Sequence, residues 1–189
     1  IHLIAVVTSL ILAFSKTFWS QSVVAEVYPI NSFFIVLLLY FLILFYHKSQ
    51  PSYLYLFSLF AGFSLANHHT ILLFLGISFI FIIVYKGSLI SFDNVLKCFG
   101  FFSIGLFLYL YLPLRASYTP TMNWGNPSDF SSMMDHITRY QYGKMIKIPR
   151  SLPLFISQSK IYLTSVFQQF SFLLVFLPFG LYKLYNIYS

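Results

Sequence analysis

The sequence predicts an all-α, polytopic membrane bundle, and three observations carry that expectation. Of 189 residues, 59% are hydrophobic and only 8% are charged, whereas a soluble domain carries about a quarter charged residues. So few polar side chains cannot cover a globule of this size, and lipid must be the solvent. The apolar residues also gather into long stretches that approach or reach spanning length. Finally, the polar and basic residues concentrate between those stretches, above all from Leu112 to Arg150.

Taken in order, Ile1–Phe14 is apolar but short of the ~20 residues a span needs. It reads as the end of a helix that starts upstream. With no Met and no basic segment ahead of it, the chain reads as a fragment of a longer protein. Lys16–Glu26 is a polar connection whose Trp19 suits a membrane interface. Ile30–Tyr46 is a spanning helix with Pro29 at its start, where a missing N–H costs little.

Tyr53–Tyr85 as one helix would run about 50 Å, against a hydrocarbon core of ~30 Å. It would also bury Asn67, His68 and His69 near the bilayer centre, where polar groups are expensive. Two short helices meeting at Asn67-His68-His69 avoid both problems. Val95–Leu112 spans next and Pro113 marks its end. The loop beyond holds an amphipathic helix from a Ser128 N-cap to Gly143, with Phe130, Met133, Met134, Ile137 and Tyr140 at helical spacing. Asp129 and Arg139 lie at its dipole-favoured ends. Ile161–Leu181 is the last span. The expected organisation is thus about six membrane segments and one surface helix. Residues 1–112 form helices with short loops, 113–160 an extramembrane loop, and 161–189 the C-terminal span.

Threading these spans places Lys16–Glu26, the Asn67-His68-His69 turn and Arg115–Lys160 on one side of the bilayer. Lys48, Lys86, Lys97 and Lys183 fall on the other. The first face holds more basic residues, so simple charge counting makes it cytoplasmic unless those cations are kept for an anion. The formal charge of +7 therefore points to lipid headgroups or phosphorylated substrates, not to nucleic acid.

Arg115, at a helix end on the membrane boundary, can clamp a phosphate through two parallel hydrogen bonds, or simply snorkel to the interface. Arg139 admits the same two readings. Glu26 is the carboxylate beside a span on this face. It suits a general base or a grip on a substrate hydroxyl, and equally an interface pairing with Lys16. Asp129 and Asp135 read as solvated helix-face carboxylates. His68 and His69 are adjacent and point about 100° apart on a helix, so they make no zinc pair. Cys98 is the sole cysteine, which leaves no disulfide and no thiolate metal site. Trp124-Gly125-Asn126-Pro127 reads as a turn, its tryptophan an interface anchor or a sugar-stacking surface. Gln168 and Gln169 are costly in lipid and should face the bundle or a wet cavity.

Several of these motifs resemble, in order, the domain-of-unknown-function 2723 (DUF2723) family. They are Trp19-Ser20 with Ala25-Glu26-Val27-Tyr28, Gly62 through Leu65 to Asn67-His68, Leu112-Pro113-Leu114-Arg115-Ala116, Trp124-Gly125-Asn126-Pro127, and Arg139 with Gln141-Tyr142-Gly143. That family is similar to protein O-mannosyltransferases, multi-spanning glycosyltransferases of the GT-C type. The resemblance implies transfer of a sugar, mannose first, from a polyprenyl- or dolichyl-phosphate carrier to protein Ser or Thr hydroxyls. It implies no cofactor beyond that donor, and a polar face turned to the periplasm or lumen of a bacterial inner membrane or endoplasmic reticulum. Glu26 would be the catalytic carboxylate within this chain, and Arg115, His68, His69, Trp124, Asn126, Arg139, Gln141 and Tyr142 would bind substrate. The family's acidic first loop lies ahead of Ile1, so Glu26 would support a base outside the fragment. A transporter or flippase for a lipid-linked anion is the competing expectation, using the same cations with alternating access. A scaffold whose loop binds a partner is the third.

Overall fold

The computed structural model describes residues 2–140 and 151–188. Among them the secondary structure is helical, with no strand. The helices are α1 (His2–Ala13), α2 (Lys16–Ser22), α3 (Tyr28–Lys48), α4 (Pro51–Asn67), α5 (Ile71–Lys86), α6 (Phe92–Leu106), α7 (Tyr111–Ala116), α8 (Phe130–Ile137), α9 (Leu152–Phe170) and α10 (Leu177–Tyr188). The chain divides into two compact units, Ile1–Glu26 with Lys147–Ser189, and Val27–Ile146.

In the second unit α3 to α6 run up and down. Each pairing of ends is fixed by a named bond. At one end Asn67 of α4 donates to the Val27 carbonyl ahead of α3, at 3.3 Å. The Tyr109 hydroxyl, just past α6, donates to the Leu65 carbonyl at 2.8 Å. At the other end Lys86 of α5 donates to Ser49 Oγ at 2.8 Å, and the Tyr55 hydroxyl of α4 donates to Asn94 of α6. Leu38, Leu42, Phe45, Phe57, Ala61, Ile71 and Ile82 form the buried core between these ends. In lipid, association of such helices rests on close packing more than on water exclusion. The α4–α6 crossing shows it. A Cβ on Gly62 would lie 2.3 Å from the Phe102 carbonyl oxygen, and one on Gly105 would lie 2.4 Å from that of Leu59. Only glycine permits this approach. Buried Ser64 and Ser78 bond their own helix carbonyls, Ala61 and Phe74, each at 2.8 Å, and so stay satisfied inside the bundle.

In the first unit α1 and α2 meet at a 64° bend, with Ser15 extended at the break. The Thr17 hydroxyl donates to Gln169 of α9. The predicted connection Lys16–Glu26 is therefore partly helical.

Among the described residues three helices are long and apolar enough to cross a membrane, Tyr28–Lys48, Ile71–Leu89 and Phe92–Ala116, or up to five if each bent pair is one span. The expectation of about six is corrected for two physical reasons. α4 has 17 residues, about 25 Å at 1.5 Å per residue, short of a ~30 Å core. The predicted last span, Ile161–Leu181, breaks after Phe170 and the chain bends by 94°. Pro113 does not end its helix either. It falls within α7, in the first turn after a 3-10 stretch at Phe107–Leu110, where its missing N–H is tolerated.

Candidate functional site

The site end of the second unit is built around the three-residue turn between α4 and α5. Asn67 closes α4, His68 is extended with φ −156° and ψ 134°, and Thr70 precedes α5. The turn is tied on three sides. Asn67 holds the start of α3, and the Tyr28 ring lies 5.9 Å from that of His68, centroid to centroid. Asn31, only 8% exposed, donates to Thr70 Oγ1 at 3.4 Å. A polar side chain one turn into an apolar helix is expensive in lipid unless it has work to do. Here it joins α3 to the turn.

α8 brings the second half of the site. Its N-cap is Asp129, one residue later than the predicted Ser128. Asp129 Oδ1 accepts from the Ser132 N–H at 2.9 Å while Ser132 Oγ accepts from the Asp129 N–H at 3.2 Å, a reciprocal capping box. The Ser132 N–H, followed by its hydroxyl, holds the Asp129 carboxyl below the usual range. The helix ends at Ile137, well short of Gly143. Arg139 adopts a left-handed φ of 55° and turns the chain where the predicted helix would have continued.

That ending sets Arg139 among the histidines. Burial, then the Arg139 charge, lowers the pKa of His68. Burial lowers that of His69 as well, followed by Arg139, His68 and His136, while the Ile137 carbonyl favours its charged form and moves it the other way. Both imidazoles are thus biased towards neutrality beside a permanent cation. Among the described residues Nδ1 of His69 is buried without a hydrogen-bond partner, as is Oδ1 of Asn31. Next to this cluster lies a cavity of about 400 Å³. Ile30, Phe34, Phe63 and Leu112 wall it with hydrocarbon, while Asn67, Tyr109 and His136 supply polar groups. An apolar hollow with His136 in its wall, at the end of the bundle where the Arg139 charge acts on His68 and His69, is suited to an anion that carries a hydrocarbon tail.

The remaining candidates stand as follows. Arg115 is exposed on the last turn of α7, and no hydrogen bond among the described residues joins it to the histidines. Trp124 is 67% exposed at the second position of a tight turn. The Asn126 N–H donates back to the Asn123 carbonyl at 3.3 Å, and Gly125 takes the φ of 71° that such a turn demands. Asn126 itself has φ 40° and accepts from Asn123 Nδ2 at 2.8 Å. Glu26 is exposed in the first unit. Gln141 and Tyr142 lie outside the described residues. No group of three metal-binding side chains forms among the described residues.

The structure adds Asn31, Thr70, Tyr109 and His136 to the site. Asn31 could have been found as the polar residue inside the Ile30–Tyr46 run, and His136 as the imidazole one turn before Arg139. Tyr109 carried no signal among 15 tyrosines.

A family model described as the Protein O-mannosyl-transferase TMEM260 N-terminal domain matches residues 1–91. The chain is also similar to the Protein O-mannosyl-transferase TMEM260 of Mus musculus, with 30% identity over 146 residues, 70% of this chain and 20% of the relative. The chain therefore spans about a fifth of that relative's length. No solved structure matches it.

Proposed function

We propose that this chain is part of an integral-membrane glycosyltransferase of the GT-C type, DUF2723-like, that moves a sugar from a polyprenyl- or dolichyl-phosphate carrier to protein Ser or Thr hydroxyls. Mannose is the sugar to which the similarity to a named O-mannosyl-transferase points. The observation that carries the reading is one end of the bundle, where the Arg139 charge reaches His68 and His69 and where Asn67, Tyr109 and His136 line an otherwise apolar hollow.

In this reading the acceptor hydroxyl attacks the anomeric carbon and a carboxylate takes its proton. Glu26, or an acidic residue outside this chain, serves as that base. The bond from the anomeric carbon to the phosphate oxygen breaks, and the phosphate leaves with the electron pair. Arg139, with Arg115 as a second cation, stabilises the charge that develops there. Trp124 and Asn126, with Gln141 and Tyr142, form the sugar and acceptor side. Cations retained for a phosphate also remove the force of charge counting, so the site end faces the periplasm or lumen.

The test is transfer of labelled mannose from polyprenyl-phosphate mannose to a Ser/Thr peptide by the full-length protein in membranes. Arg139→Ala should raise the donor KM by roughly tenfold or more, the worth of a hydrogen bond to a charged group. Unchanged donor use in both Arg139→Ala and Arg115→Ala removes the phosphate role. Donor crossing the membrane with no glycosidic bond formed replaces the transferase with a flippase.

A further inference from the structure

The bonds around His68 fix more than its position. The Thr70 N–H points at His68 Nδ1 at 3.3 Å, and an N–H can only donate, so Nδ1 is an acceptor. The Thr70 hydroxyl sits 2.8 Å from the same nitrogen and donates to it as well. Its oxygen is then free to accept the N–H of Asn31, which lies 3.4 Å away. Every donor in this chain points the same way, from α3 through Thr70 to the ring. With Nδ1 accepting, the ring proton is placed on Nε2, since the hydrogen-bond partner of one ring nitrogen decides the state of the other. The arrangement leaves Asn31 Oδ1 buried with no partner. A buried acceptor without a donor is costly, but turning the amide over would leave the N–H unpaired in its place and would reverse the Thr70 hydroxyl, withdrawing its donation to the ring.

We propose that Asn31 and Thr70 are positioning residues that lock His68 as the neutral Nε2–H tautomer, so that it adds an uncharged donor beside Arg139 to the binding of the donor's phosphate. This rests on the phosphate-binding reading above. It assigns His68 a role that a general base could not fill, because Nδ1 is engaged and Nε2 already holds its proton. Among the described residues the groups that face the turn are Tyr28 from α3, His69 beside it, and Arg139 and His136 at the end of α8, and none of these is a carboxylate that would favour imidazolium.

The experiment measures the KM of the full-length protein for polyprenyl-phosphate mannose between about pH 5.5 and pH 8, the range in which histidine titrates. Thr70→Val removes the hydroxyl at nearly constant volume. It should raise the donor KM about three- to tenfold near neutral pH, the worth of one hydrogen bond. It should also move the inflection of the KM–pH profile upward, towards the ordinary histidine value. Thr70→Ser should restore both. His68→Gln, which keeps a neutral N–H donor, should keep a low donor KM, whereas His68→Ala should not. If Thr70→Val does not fold, nitrogen-15 spectra of histidine in the unaltered protein read the tautomer directly, and a proton on Nδ1 of His68 overturns the proposal. A Thr70→Val profile identical to the parent overturns it too. If Arg139→Ala raises KM while the Thr70 and His68 variants do not, only the relay fails. If none of them changes donor use, the phosphate reading fails with it.

Discussion

The two ends of the α3–α6 bundle handle positive charge in opposite ways. At the plain end each lysine has a local neighbour. Lys86 lies 5.2 Å from the Tyr46 ring centroid and bonds Ser49. Lys48 lies 5.7 Å from that of Tyr53. Lys97 pairs with Asp93 at 2.6 Å and leans on Tyr55. These are anchors, each combining a ring with a charge that stays at the interface. At the site end burial, and then the charge of Arg139, discourages His68 and His69 from ionising. In the function proposed above, that end would meet the anionic donor and the plain end would not.

The strongest blow to that comparison falls on the crossing both ends share. Gly105→Leu drives a side chain into the Leu59 carbonyl region and should cost about 3 kcal/mol or more. Thermal unfolding in detergent reads the loss, and both ends should fail together. Next comes Arg139→Ala, expected to weaken donor use roughly tenfold or more without a comparable loss of thermal stability, as transfer kinetics and melting of the same preparation would show. Tyr109→Phe removes one bond to the Leu65 carbonyl and should cost about 1 kcal/mol, measured by chemical unfolding.

A pH titration separates the ends more finely. His68 and His69 have lowered pKa values in the folded chain, so as pH falls below about 6.5 the unfolded chain binds protons first. The stability they contribute is present above that value and lost as pH falls through their folded pKa values. Melting temperature should decline in that window, and His69→Gln should flatten the decline. The smallest effect is expected at the plain end. Lys97→Gln breaks an exposed i,i+4 pair and should change neither melting nor donor KM measurably.

Much of the architecture was legible because lipid imposes a simple grammar. Asn67, His68 and His69 break an overlong apolar run, and a turn there was the cheapest outcome. Pro113 misled, because proline ends a helix from its interior but is welcome in a first turn. Ser128 and Asp129 are both good caps with a serine three residues on, and local pattern did not choose between them; the structure caps α8 with Asp129, which accepts from the Ser132 N–H. Of the site, His68, His69 and Arg139 were visible as polar residues at predicted boundaries. Asn31 was visible only as a polar residue inside an apolar run, and its bond to Thr70 and that of Tyr109 to Leu65 were not legible, since each joins residues distant in sequence.

By itself the sequence determined that this chain lives in lipid, that its helices turn at Asn67-His68-His69, and that its cations collect between spans. Composition and hydropathy suffice for that, because each is a sum over local residues. Only the tertiary structure decided that Asn31 of α3 bonds Thr70 of the turn and that the Tyr109 hydroxyl bonds the Leu65 carbonyl. These bonds join residues 39 and 44 positions apart, which local pattern cannot register.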